Sequence, residues 1–392
     1  MKKFLEGSWA IAEAAKLCRP GVISAYPITP QTHIVEHLAQ FVADGEIDAE
    51  AINVESEQSA ASVVLGSQNA GVRSFSATSS QGLFLMAEVL FNIAGMRLPI
   101  MLVCANRAIS APINIWNDQQ DSISLRDSGW IQLYAENNQE AVDLMIAGYK
   151  IAEDSKIMLP IMVCIDGFIL THGMETTDMP SQEEVDKFLP KYNPPFKLDV
   201  NNPMSFGLLG DPSVYTEARF SVQKTFDDVI PMINKVGKEF QSAFKRDSVR
   251  LVEEYKTDDA EVVLVTMGSL CGTIKDAIDA QRANGKKVGL LKVVAYRPFP
   301  KAAIAQGLKS AKFVGIIDKN ISLGSDGALY TEVKSLLNDS NKQISGFIAG
   351  LGGRDITITT INNIIDLTEK EENHCKFVDV KKELLWEEFH AS

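Results

Sequence analysis

Short apolar runs alternate with helix-like stretches along most of this chain, and that alternation constrains the fold more than any other feature. The runs are "GVISAY" (21–26), "AINV" (51–54), "RSFSAT" (73–78), "LPIMLVCA" (98–105) and "LPIMVCID" (159–166). Helical spacing of apolar residues appears at 31–43, 57–69, 80–95 and 138–153. Apolar strands separated by helices predict a doubly wound parallel sheet covered on both faces. Ligands of such sheets sit beyond the carboxyl ends of the strands. Thr29, Glu55, Glu57, Ser79, Ser80, Gln81, Arg107 and Asp166 all fall there.

The pattern weakens from 173 to 255, where Pro, Asn, Asp and Gly accumulate before a mixed-charge helical stretch at about 222–254. A second βα series starts at Ala260, with "EVVLVTMGS", "KVGLLKVVAY", "FVGIID" and "ISGFIAGL" as its strands. The expected division is a first α/β domain at 1–200, a linker with a helix at 201–255, and a smaller α/β domain at 256–392. A length of 392 residues accommodates this. A net charge of −13 argues against nucleic acid as a partner. No apolar run is long and uncharged enough to span a bilayer, and after Glu6 the alanine-rich stretch reads as an amphipathic helix, not a secretion signal. The five cysteines are scattered, with no CxxC spacing and no cluster with histidine. That excludes iron–sulfur and structural-zinc signatures, predicts no metal ligands in this chain, and fits a cytoplasmic protein.

In "SAYPITPQTHIVEHLAQ", Tyr26 and Thr29 each precede a proline, so their backbones have little freedom. The turn is either helix punctuation, with Thr29 as N-cap and Pro30 at the first helical position, or a rigid holder for a side chain. Other residues carry similar pairs of readings. Glu57 is a first-turn glutamate after a Ser56 cap, or a catalytic carboxylate. "ATSSQG" is a small-residue helix entry or a ligand contact. Arg107 is an ion-pair partner for Asp118, Asp121 or Asp127, or an anion binder. "WND" (116–118) sits in a long polar loop beside it. One carboxylate, one arginine and one rigid threonine on the same sheet rim favour the chemical readings.

"AYPITP", "ESEQSA", "ATSSQGLFLM", "NRAISAPINIWND" and "CIDGFILTH" resemble, in order and spacing, the α subunits of multi-subunit pyruvate:ferredoxin oxidoreductases. "YRPFP" (296–300) and "GLGGRDIT" (350–357) extend the resemblance to nearly the whole chain. The family oxidises a 2-oxoacid with coenzyme A, using thiamine diphosphate and passing electrons to ferredoxin. The resemblance implies that 1–200 is the domain facing the cofactor's aminopyrimidine ring and that 256–392 is a transketolase-C-terminal-like domain. It implies that Glu57 activates the cofactor through its pyrimidine N1′, with Tyr26, Pro27, Ser79, Ser80 and Gln81 around it. Arg107 and Thr29 would bind the pyruvate carboxylate and Asn117 would line the pocket. The chain contains no GDG loop of the kind that holds Mg²⁺ and diphosphate. Those groups, and the [4Fe-4S] clusters, would therefore belong to β, γ and δ partner subunits.

A branched-chain 2-oxoacid is the alternative substrate. A transketolase or 2-oxoacid dehydrogenase subunit is the alternative enzyme, and a non-catalytic scaffold the alternative class. His172 is expected near a subunit boundary. His33, His37, His374 and His390 show no partner pattern and read as surface residues. "GLGGRD" reads as a turn that needs glycine.

Overall fold

The computed structural model describes residues 1–370 and 374–385. The chain forms two compact units. The first comprises Met1–Glu253, Met267–Ser269 and Val293–Ala303; the second comprises Glu254–Thr266, Leu270–Lys292 and the chain from Ile304 onward.

The first unit begins with β1 (Lys2–Glu6), α1 (Gly7–Leu17), β2 (Val22–Ala25), α2 (Thr32–Ala43), β3 (Glu50–Asn53), α3 (Glu57–Asn69) and β4 (Ser74–Thr78). It continues through α4 (Ser80–Leu85), α5 (Ala87–Gly95), β5 (Met101–Asn106), α6 (Gln120–Ser124), β6 (Ile131–Tyr134), α7 (Asn138–Ala152) and β7 (Ile161–Asp166). After β8 (Met174–Asp178) and α8 (Gln182–Phe188) comes the 30-residue α9 (Tyr215–Phe244). The second unit holds β9 (Val252–Tyr255, which starts at the boundary), β10 (Val262–Thr266), α10 (Leu270–Ala283) and β11 (Val288–Val293). The chain then returns to the first unit as β12 (Ala295–Arg297). It ends with α11 (Lys301–Gly307), β13 (Phe313–Asp318), α12 (Ala328–Leu336), β14 (Gln343–Ile348), α13 (Ile358–Lys370) and β15 (Cys375–Phe377).

The main sheet runs β12-β6-β7-β5-β4-β2-β3, parallel throughout except for β12, which pairs antiparallel with β6. The second unit's sheet runs β15-β14-β13-β10-β11-β9. Helices α1, α2 and α7 cover one face of the main sheet and α3, α4 and α5 the other, the doubly wound arrangement that buried apolar strands require. After β2 the chain moves outward to β3, then recrosses β2 to form β4. The loops leaving β2 and β4 therefore diverge, which makes their junction the topological switch point.

The structure departs from the sequence reading in several places. Helix α9 belongs to the first unit: Val229, Ile233, Val236 and Phe240 are buried in its core, so 201–255 does not act as a linker throughout. The stretch after 173 is also more regular than its composition suggests. Strand β8 pairs with β1, and Ser181 caps α8 in a reciprocal capping box with Glu184. Strand β6, "IQLY", lies between "LPIMLVCA" and "LPIMVCID", where the sequence reading placed no strand. In "GLGGRD", Gly350, Gly352 and Gly353 all take positive φ, which only glycine adopts without strain.

Candidate functional site

Glu57 opens α3 behind Ser56, whose Oγ accepts a hydrogen bond from Ser59 N at 3.2 Å. The two neighbouring acids diverge here. Glu55 is exposed and accepts from Ser59 Oγ, a bond that lowers its pKa. Glu57 is buried, 6% exposed, and its carboxylate accepts no hydrogen bond from any described residue. A Cβ at Gly82 would stand 2.6 Å from both Glu57 Oε1 and Thr78 Oγ1, so glycine lets α4 approach the carboxylate closely. Thr78 Oγ1 and Gln81 Nε2 are also buried without partners among the described residues. Buried polar groups are normally hydrogen-bonded. Thr78 Oγ1, at the end of β4, and Gln81 Nε2, on α4, depart from that rule.

The turn after β4 is held in an uncommon conformation. Ser80 has φ +50°, a left-handed value rare outside glycine. Its N–H donates to Asp121 Oδ2 at 2.9 Å and its Oγ donates to Ala108 O. Ser79 Oγ donates to Ala105 O at 2.7 Å. Asp121 is fully buried and also accepts from Arg107 N at 3.0 Å and Asn106 Nδ2 at 2.7 Å. Burial raises its pKa against the opposing effect of these donors. One carboxylate thus fixes the ends of β4 and β5 together, a role invisible in a sequence that offers Asp121 only as one of three acids near an arginine.

Among the described residues Arg107 makes no side-chain ion pair. Its Nε donates to Asn114 O and its Nη1 to Thr29 O, both at 2.9 Å, while Nη2 has no hydrogen-bond partner among the described residues. Burial lowers its pKa and the Asp121 charge partly opposes that. The Thr29 carbonyl thereby ties the turn after β2 to the end of β5. The turn itself is fastened by Gln31, fully buried, whose Nε2 donates to Ala77 O at 2.7 Å. Helix α2 starts at Thr32 with Gln31 at its N-cap position, so Thr29 does not cap it and Pro30 is not its first residue. Tyr26, Pro27 and Thr29 are exposed on the rim, and the Thr29 hydroxyl has no partner among the described residues.

Asn117 is buried, and its Nδ2 donates to Asn106 O and Asp166 Oδ1, both at 3.2 Å, which braces the ends of β5 and β7. Asp166 accepts from Ser269 N at 3.0 Å as well. The histidine reading also needs correction. His33 Nδ1 lies 2.8 Å from Glu6 Oε1, and its ring centroid is 5.0 Å from that of His172. His37 stacks on Trp9 at 4.8 Å. His390 lies outside the described residues.

Residues 13–238 match the thiamine-diphosphate-binding domain of pyruvate flavodoxin/ferredoxin oxidoreductase, and residues 260–361 match core domain II of pyruvate:ferredoxin oxidoreductase. The chain belongs to this family. Pyruvate synthase subunit PorA of Methanothermobacter thermautotrophicus is 52% identical over 381 residues, covering 97% of this chain and 99% of that one. Ketoisovalerate oxidoreductase subunit VorA of Pyrococcus horikoshii is 43% identical over 389 residues, covering 98% of each. Among solved structures, a 2-oxoglutarate:ferredoxin oxidoreductase from Magnetococcus marinus superposes with a TM-score of 0.71 at 21% identity. That match covers 93% of this chain and 65% of the other, a likeness of fold alone. Among the described residues, no helix is long and apolar enough to cross a membrane.

Proposed function

We propose that this chain is the α-type subunit of a cytoplasmic, multi-subunit pyruvate synthase, converting pyruvate, coenzyme A and oxidised ferredoxin to acetyl-CoA, CO₂ and reduced ferredoxin. The observation that carries the reading is the buried, unpartnered Glu57 carboxylate at the switch point of a thiamine-diphosphate-binding family's sheet. The Glu57 carboxylate together with the unsatisfied Thr78 Oγ1 and Gln81 Nε2 fits an aminopyrimidine, which offers ring nitrogens and an exocyclic amine at one edge. When bound, the cofactor supplies the carbon nucleophile and the electron sink for decarboxylation.

The chain's own residues have narrower tasks. Glu57 shares a proton with the pyrimidine N1′. Ser79, Ser80 and Gln81, on a turn fixed by Asp121, shape the wall around the ring, with Tyr26 and Pro27 on the opposite rim. Arg107 presents Nη2 to the 2-oxoacid carboxylate, and the Thr29 hydroxyl donates beside it. The Thr29 carbonyl holds the guanidinium in place for this, so little side-chain entropy remains to be lost on binding. Partner β, γ and δ subunits hold the diphosphate, Mg²⁺ and [4Fe-4S] clusters.

The test is Glu57→Gln in the assembled enzyme. Glutamine fills the same space but cannot exchange the proton. Pyruvate turnover should fall by about 10²–10⁴-fold while thiamine diphosphate, followed by its own binding isotherm, is still taken up. Near-normal turnover would remove Glu57 from the chemistry.

A further inference from the structure

Glu6, His33 and His172 come from three separate segments, and their carboxylate and imidazole donor atoms lie within 4.8 Å of one another. Glu6 ends β1 and occupies the N-cap position of α1, yet its side chain does not cap that helix. Its carboxylate turns instead to His33 in the first turn of α2, 2.8 Å away. His172 lies on the loop between β7 and β8. Backbone bonds from Gly7 N to Gly173 O at 3.0 Å and from Ser8 N to Thr171 O at 2.9 Å press that loop against the start of α1. Gly7 permits the contact, because a Cβ there would run into Leu170 O.

A glutamate–histidine hydrogen bond needs no second imidazole. Two imidazoles facing one carboxylate form a donor set suited to a borderline divalent metal. The His172 ring has outer contacts of its own. Thr171 Oγ1 lies 2.8 Å from its Nδ1, which leaves Nε2 as the outward nitrogen. Phe168 stacks on the ring at 4.7 Å. Such outer contacts are what fix histidine ligands in metal sites. Around a tetrahedral zinc the donors stand roughly 3.3 Å apart, from bonds of about 2.0–2.1 Å. A half-ångström separation of Glu6 from His33, on the order of thermal side-chain motion, and a swing of the exposed His172 would reach that geometry.

We propose that Glu6, His33 and His172 bind one zinc-type divalent ion, which staples the β1–α1 junction, the start of α2 and the loop after β7. Water or a partner side chain takes the fourth position.

The probe is Co²⁺ added to the chelator-treated full chain and followed by its visible d–d absorption and by titration calorimetry. The wild-type chain should take up one equivalent with a nitrogen-ligand band, and Zn²⁺ should displace it. His172→Ala and Glu6→Gln should each weaken binding at least tenfold, since even outer-contact changes cost 10–100-fold. His374→Ala, at a histidine outside the cluster, should bind as the wild type does. The absence of a Co²⁺ band in the wild-type chain would overturn the proposal without reliance on any variant. Equal affinity in wild type, His172→Ala and Glu6→Gln would overturn it as well.

Discussion

A carboxylate taken out of water must find donors or lose its charge, and two acids at this site meet that demand in opposite ways. Asp121 is surrounded by donors from Ser80, Arg107 and Asn106 and serves as a fixed post. Glu57 is buried with its carboxylate accepting no hydrogen bond from any described residue. Arg107 shows the same economy: two of its nitrogens hold carbonyls and the third has no hydrogen-bond partner among the described residues. Lysine at 107 would keep the charge and lose the fork that does both at once. Arg107→Lys should therefore raise the KM for pyruvate about 10- to 100-fold, the weight of a charged hydrogen bond of about 1.5–3 kcal/mol. Steady-state kinetics at saturating coenzyme A would show it, and an unchanged KM would leave Arg107 a purely structural clamp. Glu57, Arg107 and Thr29 could be singled out in the sequence because each stands just past an apolar run. Asp121 and Gln31 could not. Their importance comes from bonds to backbone groups brought close only by the folded sheet, and one-dimensional spacing carries no trace of those.

Helix α12 supplies a second case, at the scale of an element. Its N-cap is Gly327, which offers no side chain. The first helical amides are met instead by Asp318 from the end of β13, which accepts from Leu329 N at 2.9 Å and Tyr330 N at 3.0 Å. Asp318 is fully buried, and burial raises its pKa to about 6 despite those bonds. The folded value then lies above the unfolded one, so the native state holds the proton more tightly. The associated stability is fully present below about pH 4 and is lost as pH rises through about 6, with a span on the order of 3 kcal/mol. Asp318→Asn, which cannot titrate, should flatten that segment of the stability–pH curve relative to wild type in denaturant titrations at pH 4 to 7. An unaltered difference curve would show that Asp318 does not titrate there. Strands β10, β11, β13 and β14 of this second unit were legible from their apolar runs, whereas the short, half-exposed β9 and β15 were not, and Val252–Glu254 of β9 had read as the end of a helical stretch. The β1–β8 ribbon was not legible either, since its strands "KKFLE" and "METTD" are short, polar and half exposed.

For the whole molecule, the decisive features are the ones the sequence does not contain. The sequence holds no GDG loop and no clustered cysteines, so on the proposed function the chain contributes a pyrimidine-facing wall and a substrate clamp. Mixed alone with thiamine diphosphate, Mg²⁺, pyruvate and coenzyme A, it should reduce neither dye nor ferredoxin. Adding partner chains that carry a metal–diphosphate loop and cluster cysteines should restore reduction. Turnover by the isolated chain would mean a complete cofactor site within these 392 residues. A different consequence follows from β12, which seals the main sheet by pairing with β6 although the chain lays down three of the six strands of a second sheet before reaching it. The interval between Tyr134 and Arg297 is about 160 residues, roughly 10–30 s of synthesis at typical ribosomal rates. Throughout that time the outer edge of "IQLY" has no strand to pair with, and an open strand edge is a template for any other chain. The growing polypeptide thus carries an unpaired flank while still on the ribosome, and that interval is when it most needs a chaperone.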